Sequence, residues 1–413
     1  MVNIGGPQSI FLTFFCVGSL PLPKIINKGK LSTKFIKRNA MDSELKLSDF
    51  GIFPERGFLP KDDPLTVLPD GWKFLDDFGR EIPQLISSGK IIEASRALPI
   101  PNTETLTEMN EAEKNRAMMI YGFGASAFIH SGNPPRKFLC ENLAKPLVWL
   151  SSYFGKPPIL SYCSYSLNNW TRIDPTKDIG VDNLKLLQNF IDLYDENWFI
   201  LIHVDIERKA SLAIEAATDA ISRALREDIY GLYTDLEDIG LSLSLMIDTL
   251  KRMPERCSPD VYYRRVRPWI MYFENVVYEG INDRPKSLRG ETGAQSSIMP
   301  FLEAVLGLTH EESVLTQHLR TMRFYMPLNH QLFIETAERT SRIREFIIKS
   351  CSAELKEAYN HCLERMFEFR DVHFGYANSY IHQKTTDPKG TGGTIFMPWL
   401  EQMRNETRQM LLK

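Results

Sequence analysis

The chain has 413 residues, 43% of them hydrophobic and 11% aromatic, which allows two or three domains with a large packed core. Its formal net charge of -3 gives no reason to expect a nucleic acid or an anionic membrane surface as a partner. The six cysteines are scattered without a CxxC pair, so the sequence predicts neither a disulfide framework nor a zinc ribbon, and it favours a reducing, cytoplasmic setting.

The first 41 residues differ in composition from the rest of the chain. They contain no Asp or Glu, carry several lysines, and include a short apolar run over 10–20. This run is too short for a transmembrane helix, and the basic residues follow it, whereas those of a signal peptide precede the apolar run. We therefore predict a basic leader or a disordered extension over 1–41. A leader for mitochondrial import and a working protein that begins near Met41 are the alternatives.

Residues 42–165 are predicted to form a small N-terminal domain of mixed structure. Prolines divide 42–80 into short segments, and apolar periodicity then indicates helices over 76–88, 90–97, 105–130 and 143–154. The run from Gly122 to Ala127 imitates a dinucleotide-binding GxGxxA fingerprint, but no strand precedes it, which argues against a Rossmann unit. The aromatic and hydroxyl side chains of 161–170 suit the wall of a pocket for a flat ligand, or else a buried connection between domains.

Beyond Trp170 the pattern becomes almost wholly helical, with hardly any strand-like alternation. The apolar periodicity predicts a series of helices over 181–193, 198–227, 230–253, 259–273, 296–306, 310–325, 327–340 and 342–349. Together with the segments that follow, this series predicts a large all-helical domain over 166–413.

Two short segments of this domain have the chemistry of a binding site. Tyr263 and Arg267 lie one helical turn apart, so an aromatic wall and a guanidinium are available for a ring and a carboxylate. Surface packing of an arginine on a tyrosine is the alternative. Residues 290–297 place small residues and hydroxyls before a helix N-terminus, which suits a polar ligand atom.

A long helix is predicted over 352–383, with Ser352 as its N-cap. Its apolar positions recur every three or four residues and form one buried face, and His373 falls within that face. A histidine there is either a core residue with a satisfied hydrogen bond or a ligand of a metal or haem. Arg370 stands one turn earlier, where it can meet a carboxylate such as a haem propionate.

The segment Lys389-Gly-Thr-Gly-Gly-Thr394 follows this helix. It either lets the backbone approach a ligand closely or is a flexible loop, and it is not a P-loop. The other histidines form no HExxH and no two-histidine-one-carboxylate pattern, so a single histidine with an open opposite side suits haem better than zinc. Neither GxSxG nor CxxCH occurs, which argues against a serine hydrolase and against covalently attached haem.

Five motifs taken together resemble the indoleamine 2,3-dioxygenase family. In chain order they are Gly293-Ala-Gln-Ser-Ser297, Arg342-x-Arg344-Glu-Phe346, Leu355-Lys-Glu-Ala-Tyr359, Arg370-x-x-His373 and Lys389-Gly-Thr-Gly-Gly-Thr394. The resemblance covers roughly 47–412. It implies a mainly α fold in which a small mixed N-terminal domain covers a large all-helical C-terminal domain, with haem b between them.

The resemblance also implies roles for individual residues. The proximal iron ligand of the family matches His373, the arginine on the propionate side matches Arg370, and the arginine that clamps the substrate carboxylate matches Arg267. The remaining matches are Tyr262 and Tyr263 in the aromatic pocket, Tyr162 and Ser166 at the back of the indole pocket, Thr292 and Gly293 over the distal haem face, and Thr391 at the substrate ammonium.

Two departures from the family pattern occur. Phenylalanine is frequent in the family where Tyr262 and Tyr263 stand, so the indole would be packed less tightly or in a wetter pocket. A serine occupies the distal-side segment in some members, and here His203 either faces the haem or points into the helical bundle.

The activity implied is the insertion of both atoms of O2 across the indole C2=C3 bond of L-tryptophan, which gives N-formyl-L-kynurenine and opens tryptophan breakdown. The partners implied are L-tryptophan or a related indoleamine, O2 and an electron donor for haem reduction. The protein itself is expected to be a monomer. Two alternatives remain: a haem protein of this fold with weak tryptophan turnover, which serves as a sensor or acts on another indole, and a helical scaffold without catalysis.

Overall fold

Helices dominate the residues that the computed structural model describes, which are 45–386 and 389–413. The prediction for 1–41 lies outside the described residues. The α-helices of six or more residues are α1 (Lys73–Ser87), α2 (Ile91–Ala97), α3 (Thr103–Glu108), α4 (Glu111–His130), α5 (Glu141–Phe154), α6 (Tyr194–Leu225), α7 (Ile229–Lys251), α8 (Ile298–Leu306), α9 (Val314–Arg323), α10 (Leu328–Thr340), α11 (Ile343–Ser350), α12 (Ala353–Tyr380) and α13 (Met397–Gln409).

Local sequence signals account for several helix boundaries. Ser352 caps α12 as predicted, with its hydroxyl accepting the N–H of Leu355 at 3.2 Å. The single helix predicted over 105–130 is wrong, because the chain forms α3 and α4 there. Asn110 and Glu113 make a reciprocal capping box, at 3.0 and 2.8 Å, which starts a new helix within the predicted span.

The helix predicted over 181–193 is wrong. The chain forms a 3-10 turn (Val181–Asn183) and the short strand β3 (Leu184–Lys185), which pairs with β2 (Thr171–Arg172). The N–H of Gln188 donates to the Asn169 side chain at 2.8 Å, and the Glu196 carboxylate accepts two more backbone N–H groups of this segment. Side chains from elsewhere in the chain therefore take the backbone donors that a helix would need.

A hairpin interrupts the region predicted to be all helical. Strand β4 (Phe273–Tyr278) pairs antiparallel with β5 (Asn282–Leu288) and parallel with β1 (Phe138–Leu139), giving the order β1-β4-β5. The continuous helix predicted over 259–273 is also wrong. That stretch consists of one α turn (Pro259–Val261), a π-helix (Tyr262–Val266) and a 3-10 turn (Arg267–Ile270).

Helix packing positions the segments that carry the predicted site. Helices α6 and α7 pack along each other, α7 packs on α12, and α12 packs on α13. The large apolar core includes side chains from 68–165 and from 190–325 and is therefore shared by both predicted domains. The mainly α fold is confirmed, whereas the boundary between 42–165 and 166–413 stays a prediction. Within the described ranges, no helix combines the length and apolar character needed to cross a bilayer.

Candidate functional site

The buried seam of α12 opens at His373. The first four seam positions, from Leu355 to Met366, are buried, and so is Tyr380 near the end. The His373 ring between them is exposed. Desolvation by the surrounding protein and the nearby His203 lower the pKa of His373 to about 4, so the ring is a neutral imidazole. Its exposure does not favour the alternative of a satisfied core histidine, and the role of His373 as a ligand stays a prediction.

His203 lies on α6 among the predicted pocket residues. Its Nδ1 is 2.7 Å from the carbonyl oxygen of Phe199, and because a carbonyl can only accept, Nδ1 donates. The other ring nitrogen, Nε2, therefore keeps a free lone pair. The ring lies 4.7 Å from that of Phe199 and 6.0 Å from that of Tyr162, measured between centroids.

Tyr162 joins the 161–170 segment to the 290–296 segment. Its N–H donates to Gln295 Oε1 at 2.9 Å, and Gln295 Nε2 donates to the carbonyl of Gly290 at 2.8 Å. The Tyr162 hydroxyl donates to Glu207 at 2.9 Å, and the same carboxylate oxygen accepts Ser296 Oγ at 2.7 Å. These bonds fix the two segments against each other and leave the Tyr162 hydroxyl already engaged.

Two π-helical segments carry predicted pocket residues. One is Cys163–Leu167, which holds the buried Ser166, and the other is Tyr262–Val266. The Tyr262 ring lies 4.6 Å from that of Phe199 and 5.9 Å from that of Tyr380 at the end of α12. The widened turns of a π-helix are frequent at functional sites. Apolar periodicity gave no sign of either segment.

Arg267 is buried, with 8% of its surface exposed. Its guanidinium lies 5.4 Å from the Tyr263 ring centroid and donates through Nη2 to the carbonyl of Lys389. Its Nε is buried and has no hydrogen-bond partner among the described residues. The position of the Arg267 guanidinium on the Tyr263 ring agrees with the predicted pairing of these two side chains. The N–H at Arg267 Nε remains available for a ligand.

The 389–395 segment forms a closed turn packed against Gly290. Lys389 pairs with Ile395, and Arg289 donates to the carbonyl of Gly392 at 3.0 Å. A Cβ atom on Gly290 would lie only 2.6 Å from the Thr391 carbonyl oxygen. Backbone contact of this kind requires glycine, and Lys389 at the start of the same turn accepts from Arg267. The alternative of a loose interhelical loop does not describe this part of the chain.

Thr292 and Gly293 begin a short 3-10 turn. The Thr292 hydroxyl accepts the N–H of Ala294 at 3.4 Å, which caps the turn. Gly293 is exposed, and a Cβ atom placed there would have no neighbour within 4 Å. The turn therefore borders open space on the side where the resemblance places the distal haem face.

Arg370 forms a buried ion pair within the protein. Its guanidinium bonds to Glu303 on α8 and to Thr407 on α13. His310 lies 3.3 Å from the same Glu303 carboxylate and 2.5 Å from that of Glu406. Burial raises the pKa of Glu303, but Arg370 and His310 outweigh burial and lower it. A haem propionate would therefore be a partner for Arg370 in addition to Glu303 and Thr407.

Sequence reasoning missed two buried acids, Glu207 and Glu291, and the partly buried Glu303 that pairs with Arg370. Burial raises the pKa of Glu207 to about 7 and that of Glu291 to about 8. The available signals were an acid on the apolar face of a long helix for Glu207 and one acid inside a run of small residues for Glu291.

The described side chains fit a haem group. A neutral imidazole, His373, is exposed, His203 keeps a free Nε2 nearby, the Tyr162 ring lies beside His203, and the Tyr262 ring lies beside Phe199. Within 45–386 and 389–413, no group of three or more His, Cys, Asp or Glu side chains is placed to hold a metal ion. One histidine with an open side is the donor arrangement that haem needs.

Comparison with known proteins agrees with this site. The family model described as indoleamine 2,3-dioxygenase matches residues 46–388. The chain is 31% identical to indoleamine 2,3-dioxygenase 1 of Rattus norvegicus, over 89% of this chain and 96% of that protein. It is 27% identical to indoleamine 2,3-dioxygenase 2 of Homo sapiens, with the same coverage. It is also 27% identical to indoleamine 2,3-dioxygenase of Saccharomyces cerevisiae, over 87% of this chain and 92% of that protein.

Proposed function

The chain belongs to the indoleamine 2,3-dioxygenase family, and from this premise we propose that it is a haem-dependent dioxygenase acting on L-tryptophan or a related indoleamine. The reaction adds both atoms of O2 across the indole C2=C3 bond and cleaves it, so that tryptophan and O2 together give N-formyl-L-kynurenine. The observation that carries the proposal is the neutral, exposed imidazole of His373, which lies near His203.

His373 would hold the haem iron through its free imidazole lone pair. When bound, the haem supplies the iron chemistry that activates dioxygen. Gly293 lacks a side chain that would enter the open space over the opposite face. Arg370, anchored by Glu303, would add a positive charge on the propionate side.

Arg267 and Thr391 would bind the amino acid end of the substrate. The unpaired Nε of Arg267 is a donor for the carboxylate. The 389–395 turn contacts Gly290 through its backbone and Arg267 through the Lys389 carbonyl, and the Thr391 hydroxyl of this turn would accept from the ammonium. Fixing both ends of the amino acid orients the indole without a catalytic base.

The indole ring would lie among Tyr162, Ser166, Tyr262 and Tyr263. The first three are buried, so the ring would be held away from water there. His203 Nε2 can accept only, because Nδ1 already donates to Phe199, and the matching donor on the substrate is the indole N–H.

The proposed function includes the compartment in which the protein works and its oligomeric state. The cysteines within the described ranges are all free, and four of the five are buried, which agrees with a reducing cytoplasm. We expect a monomer that draws on a cytoplasmic electron donor to keep the haem reduced.

The test is an absorption spectrum of the full chain purified with added haem, followed by L-tryptophan and a reductant under air. A Soret band and the appearance of N-formyl-L-kynurenine are expected. A Soret band without product would instead identify a haem protein with another role, and no haem binding would leave the helical scaffold.

A further inference from the structure

Two arginine side chains from elsewhere in the chain hold the 389–395 turn. Arg267 donates to the carbonyl of Lys389 at the start of the turn, and Arg289 Nη1 donates to the carbonyl of Gly392 at 3.0 Å. Both arginines lie more than 100 residues earlier in the chain, so these contacts depend on the tertiary fold. A guanidinium donor makes each bond stronger than one between two neutral groups.

The turn depends on such contacts because its own bonds are short-range. The N–H of Gly390 donates to the carbonyl of Thr394 at 2.8 Å, and the N–H of Gly393 donates to the carbonyl of Gly390 at 2.9 Å. Three of the residues in the turn are glycines, which lose the most conformational freedom when they are ordered. Contacts from outside therefore help to keep the turn in one conformation.

Arg289 is well placed to act as a fixed anchor. It directly follows β5, and its own N–H donates to the hydroxyl of Tyr325 at 2.9 Å. On the same part of the turn, a Cβ atom on Gly392 would lie 3.7 Å from Cε1 of His318. Burial and the charge of Arg289 lower the pKa of His318 to about 4, so this ring stays neutral and does not repel the guanidinium.

Thr391 lies between the two carbonyls that the arginines hold. Its side chain is buried, and it has a glycine on either side, so its neighbours in the chain restrict its backbone little. The direction of the Thr391 hydroxyl follows from the backbone of the turn. The bond from Arg289 to Gly392 therefore limits the positions that this hydroxyl can take.

We propose that Arg289 is a positioning residue, which holds the 389–395 turn in place before the substrate binds and so presets the Thr391 hydroxyl for the substrate ammonium. Arg289 acts through the backbone of Gly392, where its Nη1 is engaged. A group that is ordered in advance lowers the entropy cost of binding. This inference rests on the proposed function, in which Thr391 accepts from the ammonium.

The experiment compares two ligands of the haem-loaded full chain by titration of the haem absorption. L-tryptophan and indole-3-propionate share the indole ring and the carboxylate, and only L-tryptophan has the ammonium. Arg289→Met should weaken the binding of L-tryptophan about tenfold, because the ammonium contact is lost or disordered. The same change should alter the affinity for indole-3-propionate by less than about twofold.

Three further variants separate positioning from a general effect on the fold. Arg289→Lys keeps a cationic donor and should restore most of the affinity for L-tryptophan. Arg284→Met is the matched control, because Arg284 is an exposed arginine on β5, and it should leave both affinities unchanged. In a Thr391→Val chain the hydroxyl is already absent, so adding Arg289→Met should cause no further loss.

A second measurement reports on the turn without any substrate. The haem-loaded chain is treated with a protease that cuts after lysine, and the fragment that begins at Gly390 is followed by mass spectrometry. Cleavage after Lys389 requires the turn to open locally, so it should be about tenfold faster in Arg289→Met than in the wild type. Arg284→Met should be cleaved at the wild-type rate.

A cleavage rate or an affinity for L-tryptophan that Arg289→Met leaves unchanged would overturn the positioning role. An equal loss of affinity for both ligands, or a further loss in the Thr391→Val chain, would overturn it as well. These results refute this inference alone as long as the wild type binds L-tryptophan. A haem-loaded wild type that binds neither ligand would refute the proposed function together with it.

Discussion

Replacing Arg267 tests the proposed recognition of the substrate carboxylate. In Arg267→Ala the carboxylate loses a buried guanidinium that has a free Nε. Charge-assisted hydrogen bonds contribute about 1.5–3 kcal/mol each, so losing the one contact through Nε should cost about 2 kcal/mol, or roughly 30-fold in affinity. Arg267→Lys keeps the charge but not the planar fork, and we expect a loss of about tenfold.

The assay is the dissociation constant of L-tryptophan from titration of the haem absorption, measured together with haem content and the Michaelis constant. Haem content should not change, because the proposed axial ligand lies on α12. Arg265→Ala is the matched control, since Arg265 is exposed in the same helical segment and should leave all three values unchanged. An Arg267→Ala enzyme with an unaltered Michaelis constant would refute the assignment.

Three further changes probe the cofactor, the backbone of the site and its buried charge. His373→Ala should abolish the Soret band after haem addition, whereas His361→Ala, an exposed position on the same helix, should keep it. Gly290→Ala should destabilise the fold by about 2 kcal/mol and weaken tryptophan binding, because its Cβ meets backbone atoms, whereas Gly71→Ala has open space. The raised pKa of Glu207, about 7 against 4.5, means that its contribution to stability is greatest below pH 4.5 and is lost as the pH rises from 4.5 to about 7. Glu207→Gln should remove this decline, on the order of 3 kcal/mol, as measured by urea unfolding at several pH values.

Each of these expectations has a result that contradicts it. Normal haem content in His373→Ala would exclude it as the ligand. Equal stability of Gly290→Ala and Gly71→Ala would mean that the 389–395 turn does not press on Gly290. A stability difference between Glu207→Gln and wild type that stays constant from pH 5 to 8 would show that Glu207 is ionised throughout.

The prediction from sequence succeeded where the signal is local. Helix α12 was recognisable from the spacing of its apolar residues and from its Ser352 cap, because both act within a few residues along the chain. His373 was singled out for the same reason. Five short motifs in order then indicated the family, which the match over residues 46–388 confirms. The assigned site roles themselves stay predictions.

The tertiary structure decided what depends on distant partners. Residues 181–193 have helical periodicity, yet their backbone donors bond to Asn169 and Glu196. Strand β4 forms because β1 and β5 supply its ladder bonds, and β1 lies far away in the sequence.

For the site, the sequence by itself determined which residue types are available: a histidine on a helix, an arginine beside tyrosines, and a glycine-rich turn. Only the tertiary structure decided which of them have partners. It paired Arg370 with Glu303, gave Glu207 two hydroxyl donors, and left the Tyr165 hydroxyl without a partner among the described residues. The reason is physical, because burial makes each unpaired polar group costly, and burial is set by every element packed around a residue.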